Sequence, residues 1–382
     1  MAPREPRLVL GIEEEYLLVD PITRELVREP DPGFMRTCRE TLGEQVTFEL
    51  LQSQVEIGTP ICPDLTCARR ELAGLRLRVA RIARDFGMAL MAASTHPFAS
   101  WDEQRNTDLE RYRVITEDYQ VLARRQVICG MHVHAEIADR ELRIDLMNQI
   151  TYFLPHLLAL STSSPFWRGQ ETGLKAMRPS IFDDLPRSGL PEHLDGWRDW
   201  EMLTDTLADL GLCEDPTQIW WDIRPSARHP TLELRCPDVC TRIDDAVAVA
   251  ALYQALLHRL WRLRAANQSW RSYRRTLLEE NRWRAQRWGV EAELADFGAG
   301  RLKPMRELVE ELIETVRDDA AALDTLAEVE HCRTIVAEGT SADRQLKIYH
   351  DALREGASPP EAQRVVVDWL IEETLAGLEP TG

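Results

Sequence analysis

Residues 8–20 read LVLGIEEEYLLVD, three consecutive glutamates set inside an apolar run. Side chains on a strand alternate between faces, so as a strand this run turns Glu13 and Glu15 one way and Ile12, Glu14 and Tyr16 the other. Two carboxylates on one face repel each other and are costly to desolvate unless a cation lies between them. Two readings follow: the strand carries ligands for a cation of the Mg2+ type, or it is an edge strand with a solvated acidic face. Glu14, on the apolar face, requires a basic or hydrogen-bonding partner from an outer helix and reads as structural.

Three further segments repeat the pattern. Val46–Thr59, VTFELLQSQVEIGT, reads as one extended segment with Gln52, Gln54 and Glu56 on a common face. Glu49 lies an odd number of residues before Glu56, so the two share a face only across a bulge or bend. Val127–Ile137, VICGMHVHAEI, alternates His132, His134 and Glu136 with Val133, Ala135 and Ile137. Gln218–Arg224, QIWWDIR, and Thr231–Arg235, TLELR, read as a hairpin, with Trp220, Asp222 and Arg224 on one strand face and Thr231, Glu233 and Arg235 on the other's.

Taken together, Glu13, Glu15, Glu49, Glu56 and Glu233 supply carboxylates, and Gln54, His132, His134, Arg224 and Arg235 supply neutral or positive neighbours. A sheet lined this way on one face and packed on helices by the other is a concave site for hard cations, Mg2+ or Mn2+ before zinc or copper. Mg2+ completes its shell with water and substrate phosphates, so the implied partner is a nucleoside triphosphate, with arginines steadying the transferring phosphoryl group. The chain has neither GxxxxGK[ST] nor GxGxxG. A nucleotide is therefore expected to be held by metals and side chains, not by a glycine-rich loop.

The rest of the chain frames this sheet. With 382 residues and a net charge of −18, it can bury a sizeable core and is a poor match for nucleic acid or an anionic membrane. No apolar run reaches a membrane span, the start lacks a signal-peptide pattern, and eight scattered cysteines fit reduced thiols in the cytoplasm. Helices are predicted over Leu65–Phe86, with its six arginines mostly off the apolar stripe, and over Glu141–Leu160, kinked at Pro155. Asp238–Arg264 is predicted to hold a helix with a Thr241-x-x-Asp244 cap, and Met305–Val336, Ala342–Leu353 and Pro360–Ala376 form an acidic helical tail. Ser161–Pro191 is a long loop carrying Trp167, Arg168, Lys175 and Arg178, of a length that tends to be functional. Between Arg259 and Arg287 nine arginines meet only Glu279 and Glu280. That segment reads as a local anion site or as a solvated helix face.

GIEEEY, the Glu49/Glu56 pair ending in VEIGTP, GMHVH, SPFWRGQETGLKAMRPSIF and TLELRCPDV, in this order, resemble the type 2 glutamate–cysteine ligase family of ATP-dependent carboxylate–amine ligases. The resemblance runs from about residue 7 to 290 and more loosely through the tail. It implies an α+β, glutamine-synthetase-like catalytic fold, a curved and largely antiparallel sheet forming a funnel with helices on its outer face. One catalytic domain over residues 1–382 is expected, with a sheet-forming core to about 290 and a helical wrap beyond. The resemblance also implies ATP, Mg2+ or Mn2+, amino acid or amine substrates and homodimer formation. It makes Glu13, Glu15, Glu49, Glu56 and Glu233 the metal set, His132 the histidine near nucleotide and metals, and Arg235 a phosphate contact. Arg178 and Arg224 match less closely and suit a nucleotide or a substrate carboxylate, and the role of His134 is left open. The implied reaction runs through an acyl phosphate to an amide, ADP and phosphate, giving γ-glutamylcysteine with weak or full activity. The rival reading is a zinc-dependent amidohydrolase using His132 and His134, against which stands the excess of carboxylates over histidines.

Overall fold

The computed structural model describes residues 4–378; the ends of the expected domain, residues 1–3 and 379–382, lie outside it. Seven strands form one antiparallel sheet: β1 Leu10–Val19, β2 Val46–Phe48, β3 Gln54–Gly58, β4 Ala89–Met91, β5 Met131–Glu136, β6 Ile223–Pro225 and β7 Thr231–Leu234. Their order is β6-β7-β5-β1-β3-β2, and β4 continues the β5 edge by pairing with the end of β1. The expected α+β class with an antiparallel sheet and outer helices is what the chain adopts. β1 is the longest of the seven strands and bonds to three others, so the acidic run lies at the centre of the sheet and not at its edge.

The back of β1 is apolar because Leu10, Ile12, Tyr16 and Leu18 alternate onto it, and all four are buried. Glu14 shares that side with no exposed surface. Arg76 of the Leu65–Asp85 helix meets it with two hydrogen bonds of 2.7 and 2.6 Å, so the structural reading of Glu14 holds. Of the six arginines of this helix, expected to lie mostly off its apolar stripe, Arg76 is the one that is buried. It is wholly buried and also donates to the carbonyls of Cys240 and Thr241.

Behind the sheet the Ile243–Ala265 helix is buried over most of its length, since tail helices Met305–Ala322 and Leu326–Glu338 cover its outer side. Tyr253 and Gln254 tie it to the sheet through the carbonyls of Leu232 and Leu8. The expected Thr241 cap does not form. Arg242 occupies the cap position without a side-chain bond, and the Thr241 hydroxyl donates to the Ala92 carbonyl instead. Among the described residues, no helix is long and apolar enough to cross a membrane.

Three predicted elements divide in two. Val46–Thr59 is a hairpin, β2 turning back through residues 49–53 into the antiparallel β3. Glu141–Leu160 is two helices, Arg140–Ile150 and Leu154–Ser161, separated by a short 3-10 turn, with Pro155 at the start of the second. There the missing N–H of proline breaks no helix bond. Met305–Val336 breaks at Asp324, whose φ of 54° no helix continues. The Arg259–Arg287 segment is neither one anion site nor a solvated face throughout: Arg262 meets Asp319, Arg264 meets Asp145, Arg275 meets Glu279, and Arg282 is buried between Asp183 and Asp222.

Candidate active site

In an antiparallel sheet, directly paired residues project from the same face. The register of the sheet therefore assembles the polar set. Glu13 pairs with His132, Glu15 with Glu56, Glu233 with His134 and with Arg224, and Thr47 with Glu56. The β2–β3 hairpin supplies the bend that Glu49 required, and brings its carboxyl near enough to Glu56 and Glu15 for their charges to act on it. All five predicted metal ligands thus come to one side of the sheet. Gln54 does not join them: its amide is buried and donates to the Ile128 carbonyl. Asp222 also leaves the row, because the first strand of the predicted hairpin is interrupted there and its carboxylate turns to Arg282.

Glu13 is the hub. Its two oxygens lie 3.1 Å from His132 Nδ1 and 3.4 Å from His134 Nε2. His132 Nε2 stands 3.9 Å from Glu15, whose other oxygen accepts the Gly130 N–H at 2.6 Å. Ligand atoms of Glu13, Glu56 and His132 lie within 4.8 Å of one another, and so do those of Glu13, His134 and Glu233. His134 Nδ1 is 2.9 Å from the Thr231 hydroxyl, and Thr47 donates to Glu56 at 2.6 Å.

Burial and crowding set the protonation of this cluster. Burial raises Glu49 well above the ordinary carboxyl range, reinforced by the charges of Glu56 and Glu15. Glu56 is raised by burial and by Glu13. Burial also raises Glu15, outweighing the opposing pull of Arg178 and the Gly130 N–H. Burial acts the same way on Glu13, but the contacts and charges of His132 and His134 hold it well below its usual value. His132 is lowered by burial and the Arg235 charge, whereas Glu13 and Glu233 raise His134 against its burial. Carboxyls driven to bind protons by burial, and further by one another's charge, are groups that a divalent cation would discharge.

The donor set fits Mg2+ or Mn2+: it is rich in carboxylate oxygen, and the buried Nε2 atoms of His132 and His134 have no hydrogen-bond partner.

Three arginines border the carboxylates. Arg235 donates to Glu233, while its buried Nε has no partner. Arg224 makes four hydrogen bonds, two to Glu233 at 2.9 and 3.1 Å and two to the carbonyls of Thr217 and Ile219. Its donors are largely engaged, so it holds Glu233 in place. Together with Arg235 it keeps Glu233 ionised against its burial. Arg178, on the short Arg178–Phe182 helix, packs its guanidinium over Gly130 and leaves its Nε unpartnered.

Two neighbours of the cluster have no role assigned from sequence. A Cβ at Gly130 would lie 2.7 Å from Arg178 Cζ, so Gly130→Ala is expected to displace the guanidinium and lower turnover at least tenfold, measured as ADP release. The second is Asp238, fully buried, which accepts from Ser163 N at 2.9 Å and Ser164 Oγ at 2.7 Å; Ser164 Oγ in turn accepts the Arg178 N–H. Burial pushes the Asp238 carboxyl up to about 6, partly opposed by the Arg178 charge. A carboxyl raised on folding contributes stability that is complete below its unfolded value, near 4, and is lost as pH rises through about 6. Asp238→Asn removes that dependence. Its denaturation midpoint relative to the parent should therefore climb between pH 4 and 7, and a flat difference would refute the assignment.

The fold of this chain is shared with solved ligases. The chain resembles the glutamate–cysteine ligase from Francisella tularensis, solved with AMP, with a TM-score of 0.68 at 14% identity over 100% of this chain and 91% of that one. A bifunctional glutathione synthetase from Pasteurella multocida gives a TM-score of 0.69 at 14% identity, over 96% of this chain and 53% of that one. Likeness at this identity establishes the fold. The family follows from sequence: the model of glutamate–cysteine ligase family 2 matches residues 9–367. A Rhodospirillum rubrum protein provisionally named glutamate–cysteine ligase 2 is 51% identical over 98% of this chain and 97% of its own length, and a Paracoccus denitrificans protein of the same name is 47% identical over 97% and 98%. The chain belongs to glutamate–cysteine ligase family 2, and its class is that of the ATP-dependent ligases.

Proposed function

We propose that the chain joins a substrate carboxylate to an amine through an acyl phosphate at the expense of ATP, with glutamate and cysteine as the pair and γ-glutamylcysteine as product. The observation that carries this is the convergence of five carboxylates, two histidines and Arg235 on one sheet face, in a chain of this family. Glu13, Glu56 and His132 would hold one Mg2+ and Glu13, His134 and Glu233 another, with Glu15 and Glu49 beside them. Bound Mg2+ would screen the phosphate charge and fix the phosphate oxygens.

The carboxylate oxygen attacks the γ-phosphorus in line as the bond to ADP breaks. The amine then attacks the acyl carbon, loses a proton, and phosphate leaves. Arg235, bound to Glu233 through Nη1 and with its Nε unpartnered, neutralises phosphoryl oxygens in both steps, and Arg178 adds positive charge beside Glu15. His132, whose proton affinity is lowered by burial and the Arg235 charge, offers its unpartnered Nε2. No covalent side-chain nucleophile is required. Residues 1–382 form one catalytic unit in this reading, with the helical tail as its wrap.

The test is trapping. Enzyme, glutamate, Mg2+–ATP and hydroxylamine without cysteine should yield glutamyl hydroxamate, and ¹⁸O from the glutamate carboxylate should appear in the phosphate released. Phosphate free of ¹⁸O would rule out the acyl phosphate. The hydrolase alternative draws no support from the family or the fold; tightly bound zinc with ATP-independent amide hydrolysis would revive it.

A further inference from the structure

Arg282, on the Arg275–Trp288 helix, stands apart from the other arginines of its segment because it is buried and faces two carboxylates. It bonds Asp222 at 2.6 and 3.0 Å and Asp183 at 2.5 and 3.1 Å. Arg282 and Asp222 are buried while Asp183 keeps about a third of its side chain exposed, and such a cluster is a poor source of net stability, because desolvation of the buried charges offsets their attraction. What the triad joins is more informative. Asp183 directly follows the short helix that opens with Arg178. Asp222 is the bend that leads into β6 and Arg224, and its carbonyl accepts the backbone N–H groups of Arg235 at 2.8 Å and Cys236 at 3.0 Å. One guanidinium therefore ties down the three backbone segments that deliver Arg178, Arg224 and Arg235 to the carboxylate cluster.

We propose that Arg282 is a positioning residue, which touches no substrate and sets the mutual placement of these three arginines and so the anion-binding half of the site. The inference rests on the reading of that face as a site of phosphoryl transfer. Planarity matters, since only a guanidinium can present paired donors to both carboxylates at once. Lysine, a point charge, would preserve attraction to one aspartate and lose the geometry to the other.

Isothermal titration of the full-length protein with Mg2+–ADP separates positioning from mere folding, because stoichiometry reports the folded fraction and Kd reports the site. For Arg282→Met we expect stoichiometry close to that of the parent, Kd weakened at least tenfold, and ADP release with glutamate and cysteine reduced at least 10²-fold. Arg282→Lys should recover part of both losses. His258→Gln, which breaks the His258–Asp319 contact of the outer helices, serves as a control for destabilisation and should leave Kd unchanged. Should Arg282→Met fail to fold, Asp183→Asn, which leaves the Asp222 pair intact, should show an intermediate weakening. Kd and turnover within twofold of the parent in the folded variants would overturn the proposal, as would a fall in stoichiometry alone. Failure of the parent itself to bind nucleotide or release ADP would instead strike the reading of the site.

Discussion

Glu13→Gln is expected to lower Mg2+-dependent ATP turnover by about 10³-fold while the protein stays folded. Glu13 belongs to both groups of candidate ligands and is the contact between the two histidines. Glutamine has the same shape and retains hydrogen-bonding capacity toward His132, and the backbone pairing of β1 with β5 and β3 does not depend on the side chain. What the substitution removes is the negative charge, and it does so at the position where two cation sites would share a ligand. Mn2+ affinity, followed by electron paramagnetic resonance, should fall in parallel with turnover. Turnover within threefold of the parent would mean that Glu13 is not a ligand.

The second large effect lies on the opposite face of the same strand. Arg76→Met is expected to destabilise the fold by about 3–5 kcal/mol, the range for removing one partner of a buried ion pair. Glu14 would be left buried without its ion-pair partner, and the carbonyls of Cys240 and Thr241, which accept from Arg76 at 2.8 Å, would lose their donor. The Tyr16 hydroxyl also contacts both charges. Adding Glu14→Gln to Arg76→Met should restore part of the loss, because the unpaired buried carboxyl disappears. Guanidinium denaturation of the single and double variants measures this, and a single-variant loss under about 1 kcal/mol would contradict the pairing. Neighbouring glutamates of one tripeptide are thus expected to fail differently: Glu13 in catalysis, Glu14 in stability.

That difference is legible in the amino-acid sequence, because strand alternation depends only on local geometry. Spacing alone assigns Glu13 and Glu15 to one face and Glu14 to the other. Which basic residue meets Glu14 is not legible in the same way. Six arginines occur in the Leu65–Asp85 helix, and the one that is buried is decided by a contact 62 residues away in sequence. The β2–β3 hairpin gives no local signal, because its turn, Glu49–Ser53, carries Leu50 and Leu51 and lacks the glycine or asparagine that usually marks a turn. Leu51 is buried, so tertiary packing and not turn chemistry holds the reversal. Arg282 is hidden for a related reason. Composition shows a positive segment, but the carboxylates that divide its arginines into partly exposed pairs and one buried clamp come from distant parts of the chain. Cross-strand register, which brings Glu13 to His132 and Glu233 to His134, is likewise a long-range property; the family resemblance implies a ligand set and not these pairings.

The claim that this carboxylate-lined sheet face couples ATP cleavage to amide formation is tested most directly by ADP release from the purified protein. Mg2+–ATP would be supplied with a panel of amino acids and amines that includes glutamate with cysteine. The predicted result is ADP formation that requires Mg2+ and both a carboxylate and an amine substrate, with the amide detected by mass in equal amount. Absence of ADP with every pair, together with absence of nucleotide binding, would contradict it.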